Sequence, residues 1–375
     1  MKTRIRRLAF TSSVLLLLAS NARSATGPGA VVGWGEPRGG TVPSSESNDL
    51  ALAAGAIHSL SVRADETVGA WGYDGNHQTD APSGLVNVVA VSGGESYSLA
   101  LQRDGHVIAW GSDSYGQTDV PAGLSNVVAI AAGGDFALAL KSDGTVVGWG
   151  TNDVGQLNIP ANLTGVVAIA AGWRHGLALR DDGTVVGWGD NSYGQRNVPP
   201  GLNDAVSIAA GGDKAGSHSL AVRRDGSVVA WGANGVGQSN VPATATNVIS
   251  VAAGGLHSLA LRRDGQVIAW GYNNYGQASP PVGLSNVVAI AAGEFHSLAL
   301  RADRVPMSLQ LSNGEARIWF STFANQTYSV DFCTNSPPGN WLPLPGGEVQ
   351  GDGSDASVSD AILDSPFRFY RVRRK

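Results

Sequence analysis

The sequence is short of the groups that carry most protein chemistry. One of its 375 residues is cysteine, Cys333, which excludes an intramolecular disulfide. Cross-linking therefore does not hold the fold together. Period-two alternation in YSVDFC puts Cys333 on the face of Ser329 and Asp331, opposite Tyr328, Val330 and Phe332, and predicts a partly exposed thiol. Long apolar runs are missing as well. The one centred on Val14 to Ala19 falls short of the roughly 20 residues that span a bilayer. With Lys2, Arg4, Arg6 and Arg7 before it and small residues after it, it reads as a secretory signal peptide over residues 1–25, cleaved after Ala22 or Ser24. The Arg6-Arg7 pair hints at the twin-arginine route. The expected location is secreted, periplasmic or on the cell surface.

Positive charge is scarce, with 25 basic against 30 acidic residues. Removing residues 1–25 takes five basic and no acidic residues, moving the formal charge from -5 to -10. Nucleic-acid binding rests on basic surface that displaces counterions from phosphate, so DNA and RNA are not expected partners.

Glycine, in contrast, is abundant at 51 residues, and it falls at fixed places. The phrase GGLHSLALRRDGQVIAWGYNNYGQ, 254–277, returns as AAGAIHSLSVRADETVGAWG from Ala53, SGGESYSLALQRDGHVIAWG from Ser92, AAGGDFALALKSDGTVVGWG from Ala131 and AAGWRHGLALRDDGTVVGWG from Ala170. Trp-Gly pairs at Trp34, Trp71, Trp110, Trp149, Trp188, Trp231 and Trp270 set spacings of 37, 39, 39, 39, 43 and 39. An enzyme needs one constellation, whereas a recurring unit signals an architecture in which copies pack on their neighbours. Ser258, His257 and Asp264 are thus parts of a building block, and no catalytic set is expected.

Each unit reads as three short strands: NVVAIAAG, HSLALR and VVAWG. The Asp-Gly between the last two predicts a type I′ hairpin turn. Such a sheet is too small to stand alone but buries both faces when stacked radially. AVVGWG at 30–35 is a third strand without its first two, and 286–303 supplies two strands without a third. Joining them predicts an all-β, seven-bladed β-propeller over 26–304 whose ring is closed by pairing of its terminal repeat strands.

These phrases resemble the regulator of chromosome condensation repeat family, whose units form seven-bladed propellers. AAGxxHSLAL, the Asp-Gly turn, VxAWG and GQ carry the likeness over about residues 30–303. Val-Pro after Gly-Gln, as in GQTDVP and GQSNVP, is similar to the secreted bacterial branch, which includes a propeller-type β-lactamase inhibitory protein that grips its target with loops on one face. The resemblance implies protein binding without naming the partner.

The two residues after AAG and the loop after Trp-Gly should meet at one end of each unit. Aromatic and basic side chains on turns of a rigid scaffold are the usual anchors of an interface. Expected partner-binding residues there are Ile57, Tyr73, Trp173, Arg174, Leu256, Tyr272 and Phe295. Asp213 and Lys214 join them, projecting with Ala215 from AAGGDKAGSHSLAV, four residues longer than its siblings. Tyr115, Tyr193 and Tyr275 are read as packing their own loops. His58, His175, His218, His257 and His296 share one repeat position with Tyr97 and Phe136, which points to packing and hydrogen bonding. No metal and no cofactor is expected. The Asp of each Asp-Gly turn is turn chemistry. A glycan-active enzyme is the runner-up, with Glu95, Asp135, Asp213 and Glu294 as its candidate carboxylates and a raised pKa in a cleft as its discriminator.

Residues 305–375 break the repeat with SLQLS, ARIWFST, TYSVDFCT, NWLPLP, ASVSD and FRFYRVRR, which suggests a small β-sandwich-like module. It offers a tether to a cell surface or glycan. The reading is a secreted, monomeric, non-enzymatic propeller that binds an unidentified protein; a structural or adhesive surface protein is the other alternative.

Overall fold

The computed structural model describes residues 29–44, 46 and 49–302, followed by the strands 304–305, 307–312, 315–321, 327–333, 342–350, 355–361 and 369–374. The signal-peptide reading lies outside the described residues. Among the described residues no helix is long and apolar enough to cross a membrane.

The protein is all-β, with one helix, Pro37–Gly40, among the described residues. The repeated phrase folds as expected into an antiparallel sheet. In the unit from Val88, strands Val88–Gly93, Tyr97–Gln102 and Val107–Gly111 pair with Gly93 opposite Ser98 and Ser98 opposite Trp110. The same three-stranded sheet recurs at 127–150, 166–189, 205–232 and 248–271. The middle strand is buried on both faces, His257 to Leu261 included, because sheets flank it on either side. Leu, Ala and Val there give up water-exposed apolar area, which is the main stabilising term.

The hairpin turn differs from expectation. Gly105 has φ of 86° while Asp104 is not in the left-handed region, and Gly105 N–H donates to the Gln102 carbonyl. That is a type I turn closed by a glycine bulge, so one left-handed residue suffices. The Asp104, Asp143 and Asp182 carboxylates accept from backbone N–H groups two residues on, at 3.2, 2.9 and 2.9 Å.

Successive sheets are fastened to each other by side chains fixed in the repeat. The Gln of Gly-Gln, which follows His77 in the first unit, is buried, and its backbone carbonyl accepts from the Trp Nε1 of the next unit: Gln78 from Trp110 at 2.9 Å, Gln117 from Trp149 at 3.0 Å, Gln238 from Trp270 at 2.9 Å. The same carbonyl also accepts from a serine, as Gln238 does from Ser258 at 2.9 Å. That serine in turn meets the histidine of the preceding unit: His58 with Ser98 at 3.0 Å, and His175 with Ser219, His218 with Ser258 and His257 with Ser297, each at 2.9 Å. Each fully buried histidine therefore bridges two sheets, which is the packing role its position implied.

Residues from both ends of the repeats share one sheet. Gly29–Gly35 pairs along its length with His296–Ala302, Trp34 opposite Ser297, and meets the following strand only at Gly29 and Asp49. Trp34 Nε1 donates to the Gln277 carbonyl at 2.9 Å, as its siblings do. The first strands of the units, 49–54, 88–93, 127–132, 166–171, 205–213, 248–253 and 287–292, lie side by side in that order, and the last adjoins the first.

Beyond residue 302 two further sheets form, one of 304–305, 369–374, 327–333 and 342–350, the other of 307–312, 315–321 and 355–361. Ile318, Phe320 and Val358 of one and Tyr328, Val330 and Val372 of the other make a single apolar cluster, as in a β-sandwich. Cys333 is buried, with Ser329 and Asp331. The expected partial exposure is corrected: this strand is central in its sheet, and burial reaches the face that alternation had assigned to solvent.

Candidate functional site at the loop end of the units

The two loop sets meet as the up-down-up strand order requires. In each unit the residue after Trp-Gly donates its N–H to the carbonyl just before the His position: Tyr73 to Ile57, Tyr272 to Leu256 and Glu36 to Phe295, each at 2.9 Å. Rigid backbone thus presents every candidate side chain. The glycine of Ala-Ala-Gly is obligatory there, since a Cβ on Gly55 would lie 2.1 Å from the His58 ring.

Two groupings of candidates emerge. Phe295 contacts Tyr272 and Tyr275 at ring-centroid distances of 6.3 and 5.2 Å, and Tyr272 meets Tyr275 edge-on at 6.3 Å. Tyr275, assigned from sequence to its own loop, is half exposed and part of this aromatic patch. Trp173 packs over Gly134, and the Lys214 ammonium sits 5.8 Å above its ring. Ile57 is partly buried and Tyr73 exposed, joined by their backbone bond rather than by ring contact. Leu256 is partly buried. Arg174 is engaged by Asp153 at 2.5 Å.

Asp213 does not project. The longer unit extends its hairpin, pairing Asp213 with Gly216, and the Asp213 carboxylate accepts from the N–H groups of Ala215 and Gly216 at 2.7 and 3.1 Å. Asp213 is 9% exposed while the Lys214 side chain is 83% exposed, so the turn is built by one and presented by the other.

Where the first strands converge, their small Ala and Gly residues leave a cavity of about 150 Å³ whose loop end is bordered by Glu95, Trp173 and Glu294. Four carboxylates gather at this end, and each is held above its ordinary pKa. Burial raises Glu95, with Asp135 adding repulsion and Lys214 opposing it. Burial likewise raises Asp135 and Asp213. Burial, reinforced by Asp213 and Glu95, pushes Glu294 up to about 7. The carboxylates named from sequence as enzyme candidates thus share one electrostatic environment although they belong to four units.

The histidines are turned away from solvent, and burial lowers each pKa, to about 4 for His58 and about 3 for His296. Among the described residues, Asp74, His77 and Asp80 form the set whose donor atoms lie within 4.8 Å of one another, on a loop outside this opening.

Five stretches, 88–117, 127–156, 166–195, 205–238 and 248–277, match the model of the Regulator of chromosome condensation (RCC1) repeat. No curated protein sequence matches the chain. Among solved structures, Prp20p of Saccharomyces cerevisiae, described with its binding to Gsp1p and histones, is similar with a TM-score of 0.62 at 20% identity, over 78% of this chain and 94% of its own. Yeast RCC1 (Prp20) bound to Kap60 gives 0.60 at 19% identity, over 84% and 97%. Human WBSCR16 gives 0.55 at 21% identity, over 72% and 98%. Identities this low speak to fold and not to partner. The chain carries five RCC1 repeats in an RCC1-like β-propeller fold.

Proposed function

We propose that this chain is an exported, seven-bladed, closed propeller that binds a protein partner through the loop end around its central opening. The reading takes residues 1–25 as a removed signal peptide, 26–304 as the propeller and 305–375 as a β module that tethers it. Pairing of 29–35 with 296–302, in the register used inside every other unit, supports closure. The observation that carries protein binding is aromatic area held on loops of a rigid scaffold at this end, in two places: the Phe295, Tyr272 and Tyr275 patch, and Trp173 at the border of the opening. Exposed aromatic anchors of this kind dominate protein interfaces. That Prp20p binds Gsp1p and histones, and yeast RCC1 binds Kap60, supports protein binding for propellers of this shape.

The test is capture from the native secretome by the full mature chain, against the same chain carrying Trp173→Ala and Phe295→Ala. A partner that binds saturably and is lost on substitution, with the melting temperature unchanged, bears the reading out. Equal capture by both chains overturns the assignment of this face. Capture of no protein, with retention on glycans or surface polymers, favours the adhesive alternative.

The raised Glu294 carboxyl favours one further reading, acid catalysis on a glycan, because a general acid needs a carboxyl still protonated near neutrality. Glycan hydrolysis by the full chain, abolished in Glu294→Gln, would select it.

A further inference from the structure

The loop end has a property that aromatic area alone does not explain: it gathers negative charge around an opening and then sets a single ammonium over it. Glu95, Asp135, Asp213 and Glu294 come from four units. Asp213 is committed to its own turn and Asp135 accepts from Gln117 Nε2 at 3.3 Å, which leaves Glu95 and Glu294 at the border of the opening. Lys214 acts electrostatically on Glu95, Asp135 and Glu294. It comes from the hairpin lengthened beyond its siblings, and it reaches toward a unit far from it in sequence.

Lys214 is held loosely. Its Nζ stands 3.8 Å from Glu95 Oε1, longer than a hydrogen bond, and 5.8 Å from the centre of the Trp173 ring, with the side chain 83% exposed. An ammonium above an aromatic face beside a carboxylate is a cation-π site, and the weak grip makes its occupant replaceable. The spacing of the acids excludes a compact ion: among the described residues, only Asp74, His77 and Asp80 bring three donor atoms within 4.8 Å of one another. Carboxylates spread around an opening suit a cation on an organic stem. Below them the Ala- and Gly-lined cavity of about 150 Å³ offers apolar wall to such a stem.

We propose that the opening bordered by Glu95, Trp173 and Glu294 receives a lysine or arginine side chain of the protein partner, which displaces Lys214. This rests on the protein-binding reading above and names the chemistry of its central contact. Lys214 is then a built-in competitor: it keeps the acidic opening partly neutralised until a better-placed cation arrives.

The experiment uses the full mature chain and a fluorescein-labelled tetra-arginine peptide, followed by fluorescence anisotropy at fixed ionic strength. Glu95→Gln with Glu294→Gln is expected to weaken binding about tenfold or more, and Trp173→Ala by several-fold. Lys214→Ala is expected to tighten it by about threefold to tenfold, because the competitor is gone. The control, Asp104→Asn with Asp143→Asn on the turns between second and third strands, also removes two carboxylates, at least as much negative charge, and should change affinity less than about twofold. Equal weakening by the control, or no tightening in Lys214→Ala, overturns the proposal. Spermidine is the second probe, and affinity equal to that of the peptide would transfer the site to free polyamines. Partner capture separates the two readings. If the Glu95→Gln, Glu294→Gln chain captures the partner undiminished, protein binding stands and this site falls; if tetra-arginine behaves as expected but no partner is captured, the converse holds.

Discussion

His296 Nε2 lies 2.9 Å from Ser59 Oγ, 237 residues earlier in the chain. It is the bond that His58 makes to Ser98 and His257 to Ser297, and here it joins the final unit to the first. Together with the Trp34 bond to Gln277 and the pairing of 29–35 with 296–302, it supplies the cross-link that cysteine does not. Deleting 26–36 removes that strand and exposes the edge of 296–302, so the melting temperature should fall by roughly 10 °C or more. An unchanged melting temperature in calorimetry would refute closure as the staple.

The histidine position also reveals a pairing rule between neighbouring units. Where the first unit of a pair has His, the next has Ser. Where it has Tyr97, the next has Ala137, and the Tyr97 hydroxyl donates instead to the Phe136 carbonyl. Where it has Phe136, with no polar atom to offer, the next has Gly176, and the Trp188 ring takes the space of the missing Cβ, 2.4 Å away. His257→Phe alone should cost about 2 kcal/mol or more, since Ser297 loses a buried partner and the ring is overpacked. His257→Phe with Ser297→Gly copies the native Phe136 and Gly176 pair and should recover about half of that loss. Additive costs in denaturant titrations would show that the two positions are independent.

Buried histidines set the acid limit of the fold. His58 and His218 are lowered to about 4, and His175, His257 and His296 to about 3, from an ordinary value of 6.5, by burial in every case. The unfolded chain takes up these protons first, so their contribution is complete above about pH 6.5 and is lost as pH falls toward 4 for His58 and His218 and toward 3 for the other three. Glu294 and Asp49 work in the opposite direction. Each is raised to about 7, so the folded chain keeps protons that the unfolded chain releases, and stability is lost as pH rises through 7. Five histidines outweigh the raised carboxylates between pH 5 and 6, leaving a net of roughly two protons and a loss on the order of 3 kcal/mol per pH unit on acidification. Urea midpoints that stay flat from pH 6.5 to 5 would contradict this.

Much of this architecture is legible because the repeat supplies its own alignment. Seven Trp-Gly pairs give the strand register, and the recurring AAG explains itself once the histidine ring is seen to rest on that glycine. The candidate site is only half legible. Phe295 and Trp173 stand out as the odd aromatic residues of their position, and both lie at the loop end. Tyr275 does not stand out, because Tyr115 and Tyr193 share its phrase, and only the proximity of Phe295 on the next unit turns it into part of a patch. Asp213 and Lys214 look alike in sequence; the two-residue turn decides which is buried. Glu95 and Glu294 are visible as acids after AAG, but their convergence, and the reach of Lys214 to Glu95, depend on how units far apart in sequence surround one opening.

Glu66 tests the turn chemistry most directly. In the first unit it occupies the place that Gly105, Gly144, Gly183, Gly226 and Gly265 fill elsewhere, with φ of 64°. A side chain in the left-handed region costs about 1 kcal/mol, which glycine avoids. Against this, Glu66 pairs with Arg103, an ion pair whose arginine is mostly exposed and therefore worth a few tenths of a kcal/mol at most. The Glu66 carbonyl accepts the Val88 N–H at 2.9 Å, a backbone bond that glycine retains. Strain relief exceeds the lost ion pair, and Glu66→Gly should stabilise the chain by about 0.5 kcal/mol, with the gain rising in high salt where the pair is already screened. Destabilisation at both low and high salt would mean that the backbone at Glu66 is not strained.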